Sequence, residues 1–328
     1  MKLKKIGITL GDPAGVGPEI ILKISKHFVG DFAYIIYGEE KTLKEAQNLT
    51  GLHLDYKKVE RAEDIKDKGI YLIDLNILKV PVPEPSPASG KAAVAYLARA
   101  TADAVRGNIH GILTMPINKF WAKKAGFQFN GQTEYLVNAS GTKEFAMMMY
   151  SEDIKVVLLT THIPISEVPR KITKESIIEK VLLIDREYKR LFRREPKIKV
   201  LGLNPHAGEM GELGREEIEE ITPAIEEVRN KGIFVEGPIV PDTAFINREK
   251  DDVFLAMYHD QGLIPFKLIA FDKGVNVTLG LTFIRTSPDH GTAYDIAWKN
   301  LAKVSSSLEA LKLIEEVLSY EEGHNNKV

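Results

Sequence analysis

Short apolar runs that end abruptly at glycine or polar residues recur along this chain, and they constrain its fold more than any other feature. The runs at 6–10, 32–37, 155–160 and 253–258 have the length and composition of strands buried on both faces. Amphipathic stretches separate such runs, and 174–194 has a clear 3.6-residue apolar period. This alternation predicts an α/β fold in which helices cover both faces of a largely parallel sheet.

The same patterns predict the remaining elements. We expect helices at 89–106, 215–231, 294–302 and 308–320, and a short strand at 268–271. A chain of 328 residues can bury a large core, and its length suggests two domains or one large α/β unit.

Composition excludes several classes of protein. The chain has no cysteine, which excludes disulfides, thiolate metal ligands and thiol nucleophiles. Lys and Arg number 44 against 46 Asp and Glu, so there is no basic excess for nucleic acid or an anionic membrane. No apolar run is long enough for a signal peptide or a membrane span, and we expect a cytoplasmic protein.

Three of the eight histidines share one local context. His162, His206 and His259 each follow a strand-like run, with Pro or Gly close behind. Ligands gather at the carboxyl ends of strands in open parallel sheets, so the three imidazoles could converge on one cation. Without thiolates, such a site suits zinc or another transition ion. A single histidine in this context is more often a hydrogen-bonded structural residue, and that alternative stays open.

Two carboxylates lie in predicted loops near these histidines. Asp260 directly follows His259, and Asp242 lies in the loop after the predicted strand 233–240. Asp260 is our candidate for receiving a proton from a substrate hydroxyl. Turn formation and helix capping are the alternatives, and we favour them for Asp242.

Two cations lie within apolar sequence. Lys267 and Arg285 have mainly apolar neighbours, where a lone charge is expensive to bury. They either extend to solvent or share an anion, and Asn276, between them in sequence, could add a neutral donor. Two cations and an amide would suit a phosphate group.

A glycine-rich segment follows the first predicted strand. Gly11, Asp12 and Gly15 precede a helix that we expect to begin near Pro18, a layout used to hold phosphate or a nucleotide. A tight turn between strand and helix is nearly as compatible with the spacing.

Six motifs together resemble one known family in the family's order and over nearly the whole chain. They are Gly11-Asp-Pro-Ala-Gly-Val-Gly-Pro-Glu19, Gly131-Gln-Thr-Glu134, Thr160-Thr-His162, Asn204-Pro-His-Ala-Gly208, Tyr258-His-Asp-Gln-Gly262 and Ser287-Pro-Asp-His-Gly-Thr-Ala293. The chain resembles the 4-hydroxythreonine-4-phosphate dehydrogenases, the PdxA family of vitamin B6 biosynthesis.

The resemblance implies an architecture. It is a two-domain α/β/α fold like those of isocitrate and isopropylmalate dehydrogenases. We place a discontinuous first domain at 1–125 plus 268–328, and a second domain with the histidines and dimer contacts at 126–267. The resemblance also implies a homodimer with its active site at the interface.

The resemblance further implies the roles of individual residues. The metal ligands would be His162, His206 and His259, and the substrate-binding residues Gln132, Thr133, Lys267, Asn276 and Arg285. NAD or NADP would lie at the glycine-rich segment and at a second loop that contains His290, Gly291 and Asp295.

The implied reaction is a metal-dependent oxidation, with Zn, Mg or Co, of 4-phosphooxy-L-threonine by NAD(P). Its product, 2-amino-3-oxo-4-phosphooxybutanoate, would lose CO2 to give 3-amino-2-oxopropyl phosphate. One alternative is a related dehydrogenase of D-threonate or D-erythronate 4-phosphate. A metal-dependent hydrolase is an alternative of another class, although it would need no nucleotide loop.

Two positions depart from the family pattern. Gln132 stands where the family usually has histidine, and glutamine can hydrogen-bond a substrate but cannot take up a proton near neutral pH. Trp298 stands where the family usually has a small residue, beside the predicted cofactor loop.

Overall fold

The computed structural model describes residues 3–28 and 30–320. The chain falls into two compact units, Met1–Lys143 with Leu281–Val328, and Glu144–Gly280. These boundaries differ from the expected 125/126 and 267/268. The first boundary lies later because the helix Gln132–Ser140 packs on a helix of the first unit. The second lies later because the helix His259–Ala270 packs on strands of the second unit.

Strands and helices alternate in the first segment of the first unit. The elements are β1 (Lys4–Thr9), α1 (Gly17–Ile24), β2 (Phe32–Gly38), α2 (Glu40–Thr50), β3 (Lys57–Lys58), β4 (Gly69–Asp74), α3 (Pro87–Val105), β5 (Gly111–Thr114), α4 (Lys119–Lys124) and α5 (Gln132–Ser140). Local chemistry explains where α3 begins, since the Ser86 hydroxyl accepts the Ser89 N–H at 3.3 Å and Pro87 occupies the first helical position.

The second unit continues the alternation. Its elements are β6 (Ala146–Tyr150), β7 (Lys155–Leu158), α6 (Val168–Lys171), α7 (Lys174–Phe192), β8 (Lys197–Leu201), α8 (Thr222–Asn230), β9 (Val235–Ile239), β10 (Asp252–Ala256), α9 (His259–Ala270) and β11 (Val275–Leu279). The chain then returns to the first unit as β12 (Ile284–Pro288) and α10 (Ser305–Tyr320).

The sheet topology confirms the predicted α/β class. Strand order in the first unit is β3-β4-β2-β1-β5-β12, and its strands pair in parallel. The order in the second unit is β11-β6-β7-β10-β8-β9. Here β6 is antiparallel to both of its neighbours and the remaining pairs are parallel. The carboxyl ends of β7, β8 and β10 therefore lie at one edge of the second sheet, where the three histidine segments begin.

The strand expected at 268–271 is wrong, because these residues end the helix α9 and continue just beyond it. Ile264, Leu268 and Phe271 recur at helical spacing and are 59%, 83% and 69% exposed. The predicted loop at His259 is likewise the first turn of α9. Apolar content suggested a strand here, whereas the residues form an exposed stripe on a helix.

The helix expected at 294–302 is also wrong. This segment forms turns, and Ala293, Trp298 and Asn300 have positive φ angles of 46°, 59° and 60°. Side chains of α1 satisfy its backbone: Glu19 accepts the Ala302 N–H at 2.7 Å, and the Lys23 amine donates to Asn300 O and Ala302 O at 3.1 Å. These bonds replace the hydrogen bonds of a helix.

Within the described residues, none of the helices combines the length and apolar character needed to cross a membrane.

Candidate active site

Arg285 lies at the centre of a buried polar cluster in the first unit. It projects from β12, which pairs with β5, and is 3% exposed. Its Nε and Nη2 donate to the Thr114 hydroxyl at 3.1 and 2.8 Å, and its Nη1 donates to the Thr133 hydroxyl at 3.3 Å. Burial lowers the pKa of Arg285 to about 10, and the nearby charge of Glu134 opposes this change. The side chain therefore remains a cation at neutral pH.

The N-terminus of α5 lies beside this guanidinium, since Thr133 is in its first turn. Gly131, the N-cap, has no side chain to accept the first N–H groups of the helix. Gln132 donates from Nε2 to Met115 O at 3.1 Å, and this bond fixes the orientation of its amide. Its Oε1 is buried and has no hydrogen-bond partner within the described chain. A buried cation, a hydroxyl and a helix N-terminus form a site suited to an anion.

The other two predicted substrate-binding residues belong to the second unit. Lys267 is half-buried on α9, and its amine lies 5.7 Å from the centroid of the Phe271 ring. Asn276 lies on β11 and directs its Nδ2 to the Met147 sulfur at 2.7 Å. Its Oδ1 is buried and is without a hydrogen-bond partner among residues 3–28 and 30–320. A thioether is a weak acceptor, so this amide is poorly satisfied without a ligand.

His162 and His259 lie side by side in the second unit. Their ring centroids are 5.6 Å apart with an interplanar angle of 42°. An ion lies about 2 Å from each imidazole nitrogen it binds, and hence roughly 3 Å from each ring centroid. A separation of 5.6 Å therefore allows both rings to bind one ion. The pair fits a divalent metal in this respect.

Asp260 holds the ring of His259. The distance from its Oδ1 to His259 Nδ1 is 2.7 Å, which leaves Nε2 of the imidazole for a ligand. Histidines that bind metals commonly donate their second ring N–H to a carboxylate in this way. The contact suggests that Asp260 orients His259. Asp242 is exposed in the turn that follows β9.

His206 is not brought to this pair in the single chain. It lies on the exposed turn Pro205–Gly211, beyond β8. No group of three His, Asp or Glu side chains in the described part of the chain could hold a metal ion. The three-histidine site thus stays a prediction. The turn is strained, because residues 206–210 all have positive φ, which costs each non-glycine residue roughly 1–2 kcal/mol.

Gln261 is a residue that our sequence reasoning missed. Its Oε1 accepts the Met257 N–H and its Nε2 donates to Gly202 O, both at 2.7 Å. The amide thereby connects the start of α9, which carries His259, to the exit of β8, which leads to His206. An amide that directly follows two polar residues at a strand exit was the available signal, since it can donate and accept together.

The two predicted cofactor segments lie together in the first unit. The Val16 N–H donates to Thr292 O at 3.0 Å, and the Tyr294 hydroxyl donates to Asp12 Oδ2 at 2.6 Å. A Cβ on Gly15 would lie only 2.8 Å from Thr292 O, so the close approach requires glycine. His290 is half-buried with its Nε2 3.4 Å from the Ser307 hydroxyl, whereas Gly291 and Asp295 are exposed.

Asp12 is buried and uses its carboxylate internally. Oδ1 accepts the Ala14 N–H at 3.0 Å, and Oδ2 also faces the Ser89 hydroxyl at 3.5 Å. Burial raises the pKa of Asp12, while the hydrogen bonds from Tyr294, Ala14 and Ser89 lower it. Asp12 therefore fixes the two segments to each other rather than projecting from them. Trp298 supports the same packing, because its indole N–H donates to Pro13 O at 3.1 Å.

Comparison with solved structures defines the class of fold. A β-decarboxylating dehydrogenase from Thermococcus kodakarensis matches with a TM-score of 0.51 and 14% identity, over 96% of this chain and 83% of that one. The chain therefore shares the α/β fold of this protein, which confirms the α/β class predicted from the sequence. The family model described as pyridoxal phosphate biosynthetic protein PdxA matches residues 31–314. The chain belongs to this family, which confirms the resemblance seen in the sequence.

Individual relatives agree with this assignment. A protein from Aquifex aeolicus named 4-hydroxythreonine-4-phosphate dehydrogenase is 74% identical over 315 residues, covering 96% of this chain and 98% of the relative. The D-threonate 4-phosphate dehydrogenase of Salmonella typhimurium is 38% identical over 95% of this chain and 98% of its own. The crystal structure of the 4-hydroxythreonine-4-phosphate dehydrogenase from Klebsiella pneumoniae has a TM-score of 0.85 and 37% identity, over 96% and 98% of the two chains.

Proposed function

We propose that this chain oxidises the 3-hydroxyl of 4-phosphooxy-L-threonine with NAD or NADP as hydride acceptor, in the biosynthesis of pyridoxal 5'-phosphate. The hydroxyl loses its proton and the carbon loses hydride, which gives 2-amino-3-oxo-4-phosphooxybutanoate, NAD(P)H and H+. Loss of CO2 from this β-keto acid then gives 3-amino-2-oxopropyl phosphate. The observation that carries the proposal is the buried Arg285 beside α5, in a chain whose relative named for this activity is 74% identical.

Arg285 and α5 would hold the phosphate group. The guanidinium supplies a permanent charge, Thr133 supplies a hydroxyl, and the first N–H groups of the helix point toward an anion. Because Arg285 is already ordered by Thr114, little side-chain freedom is lost on binding. The amine of Lys267 and the amide of Asn276 remain proposed substrate-binding groups of the second unit.

His162 and His259 would hold the divalent ion together with His206, with Zn, Mg and Co as candidates and the nitrogen donors favouring a transition ion. When bound, the ion supplies Lewis-acid stabilisation at the alcohol oxygen and the nicotinamide supplies the hydride acceptor. Asp260 keeps His259 in the orientation that presents Nε2. Asp260 and Asp242 remain the proposed proton acceptors, and Asp260 has the better position because it lies beside the imidazole pair.

Gln132 leaves open a second candidate substrate within the same reaction class. Its buried Oε1 accepts hydrogen bonds but cannot take up a proton. The 2-hydroxyl of D-threonate 4-phosphate or D-erythronate 4-phosphate could donate to this oxygen as well as the ammonium of the amino acid could. A relative named D-threonate 4-phosphate dehydrogenase, 38% identical to this chain, supports keeping this alternative.

One assay separates these proposals. Purified protein with Zn2+, Mg2+ or Co2+ should reduce NAD+ or NADP+ when 4-phosphooxy-L-threonine is added, followed by absorbance at 340 nm. Turnover only with D-threonate or D-erythronate 4-phosphate would move the assignment to the second candidate. Metal-dependent release of phosphate without cofactor reduction would instead identify a hydrolase.

The exposed stripe of α9 supports a homodimer. Ile264, Leu268 and Phe271 form an apolar row on the helix that carries His259. Contiguous exposed apolar surface marks an interaction site, and the proposed occupant is a second copy of the chain. Such a dimer would also allow the partner to complete the metal site, since one chain brings together only two of the three histidines.

Leu268→Lys tests the dimer. The 83% exposed side chain contributes little to the stability of the single chain, so its replacement should leave the thermal midpoint within a few degrees. Light scattering after size-exclusion chromatography should show a shift from dimer to monomer, together with a loss of turnover. Lys312→Glu, at an exposed position of α10, is the control. A variant that keeps the wild-type mass and activity would exclude this stripe from the interface.

A further inference from the structure

The turn that carries His206 has an unusual backbone. His206, Ala207, Glu209 and Met210 have φ angles between 44° and 58°, and Gly208 has a φ of 80°. This is a short left-handed helical turn built mainly from residues with side chains, which rarely adopt it. Met210 is 94% exposed, so burial of apolar surface does not compensate for the strain. Such a turn persists only if neighbouring groups hold it.

Glu217 is the group that holds the start of this turn. It begins the π-helical turn Glu217–Ile221, just before α8, and is 3% exposed. Its Oε1 accepts the backbone N–H groups of Leu203 and Asn204 at 2.7 and 2.8 Å. Its Oε2 accepts the Asn204 Nδ2 at 2.9 Å. One buried carboxylate thus binds three donors on the two residues that lead into the turn.

Glu217 also contacts the middle of the turn. A Cβ on Gly208 would lie 2.7 Å from Glu217 Oε2, so the backbone of Gly208 packs directly against the carboxylate. Gly208 is itself buried and accepts the Leu213 N–H at 3.1 Å, which closes the loop behind it. The neighbouring Glu216 differs, because it accepts Asn204 Nδ2 at 2.8 Å and the Arg215 N–H at 3.1 Å but binds neither Leu203 N nor Asn204 N.

We infer that Glu217 is a positioning residue for His206: it keeps the strained turn in the one conformation that presents this imidazole to an ion. The inference rests on the proposed function, in which His206 is a metal ligand. The backbone strain of this exposed turn is not explained by packing. A His206 imidazole that is already fixed in place would lose less conformational entropy when it binds an ion. Residues that support metal ligands in this way typically change metal affinity 10–100-fold when they are replaced.

Glu217→Gln tests the inference, with Glu216→Gln as the matched control. The amide keeps the size of the side chain but places a donor against the Asn204 amide. On the full-length protein, titration calorimetry with Zn2+ or Co2+ should show affinity reduced at least about 10-fold for Glu217→Gln and within about 3-fold of wild type for Glu216→Gln. Saturating metal should restore most of kcat, because the ligand itself is retained.

Hydrogen exchange in the metal-free protein supplies the readout that is independent of catalysis. Exchange at Leu203 and Asn204 should accelerate in Glu217→Gln and remain unchanged in Glu216→Gln. Gly208→Ala disrupts the same contact between Gly208 and the Glu217 carboxylate, because the new Cβ would collide with Oε2. It should therefore reproduce the loss of metal affinity even if Glu217→Gln folds poorly.

The outcomes separate the inference from the proposed function. A wild-type chain that binds no ion would refute the proposed metal site. Wild-type metal affinity in both Glu217→Gln and Gly208→Ala, or unchanged exchange at residues 203–204, would refute the positioning role while leaving the metal site standing.

Discussion

The Arg285 cluster of the first unit and the histidine pair of the second unit differ in how far one chain completes them. Arg285 is 3% exposed and has hydroxyl partners on two other elements. His162 is exposed, His259 is half-buried, and His206 lies apart from them. Burial explains the difference, because a cation removed from water requires partners in the folded chain, whereas exposed imidazoles are satisfied by water. The buried Arg285 cluster is thus preorganised within one chain, whereas the histidine pair requires a bound ion or a further ligand to complete it.

The largest effect is expected from His259→Ala. If the exposed pair depends on an ion, removing one imidazole should decrease metal-dependent kcat by roughly 10³-fold, since Lewis-acid stabilisation contributes several kcal/mol. The folded chain should keep most of its stability, because His259 is only half-buried and its partner Asp260 is exposed. The measurements are steady-state turnover and the thermal midpoint.

His53→Ala is the control for this experiment, since His53 is exposed and its ring lies 2.7 Å from a surface carboxylate, Asp55. Equal activities of the two variants would show that His259 is not part of the active site. The histidine pair would then not depend on a bound ion, and the proposed difference from the Arg285 cluster would be wrong.

An intermediate effect is expected from Arg285→Lys. Lysine keeps the charge but cannot reach Thr114 and Thr133 with a planar fork, so KM for the phosphorylated substrate should rise about 10–100-fold, the equivalent of one charged hydrogen bond. Metal affinity should stay near that of the wild type. Arg248→Lys, on an exposed residue of the second unit, is the control. An unchanged KM would show that the phosphate binds elsewhere.

The smallest effect is expected from Asp12→Asn, which tests a second buried cluster of the first unit. Burial raises the folded pKa of Asp12 above its ordinary value of 3.8, so the native chain holds this proton more tightly than the unfolded chain. The stability contributed by this carboxyl is fully present below that value and is lost as the pH rises through the folded pKa.

The measurement is urea unfolding of wild type and Asp12→Asn at a series of pH values. Relative to the variant, the wild type should lose stability as the pH rises across this window. The altered hydrogen bonds to Tyr294 and Ala14 add a difference that does not depend on pH. A difference that moves in the opposite direction would contradict the burial argument.

Much of the fold was predictable because the spacing of apolar residues along the sequence indicates which faces of helices and strands are buried. The helix expected at 174–194 is α7 at Lys174–Phe192, and the run at 253–258 overlaps β10 at Asp252–Ala256. The sequence also placed all three histidines at strand exits, as the positions after β7, β8 and β10 show. Proximity of His162 to His259 followed from parallel neighbouring strands, since β7 pairs directly with β10.

The failures have a common cause, which is that tertiary partners override local pattern. Glu19 and Lys23 on α1 satisfy the backbone near 300–302, so no helix is needed there. Glu217 binds the backbone N–H groups of Leu203 and Asn204, 14 and 13 positions earlier in the chain, where the turn Pro205–Gly211 begins. Neither set of hydrogen bonds produces a periodic pattern in the sequence. The apolar residues at 268–271 resemble a buried strand, although Leu268 and Phe271 are exposed at and just beyond the end of α9.

The pairing of β6 with β11 has a consequence for how this chain could be rearranged. Ala146, near the start of the second unit, is paired with Leu279, near its end. Opposed residues on antiparallel strands have Cα atoms about 5 Å apart, so the two ends of this long segment lie close together. The segment between these two residues could therefore be deleted and replaced by a tight loop, or replaced by another domain. In either case the new connection would have to bridge only the short distance between Ala146 and Leu279.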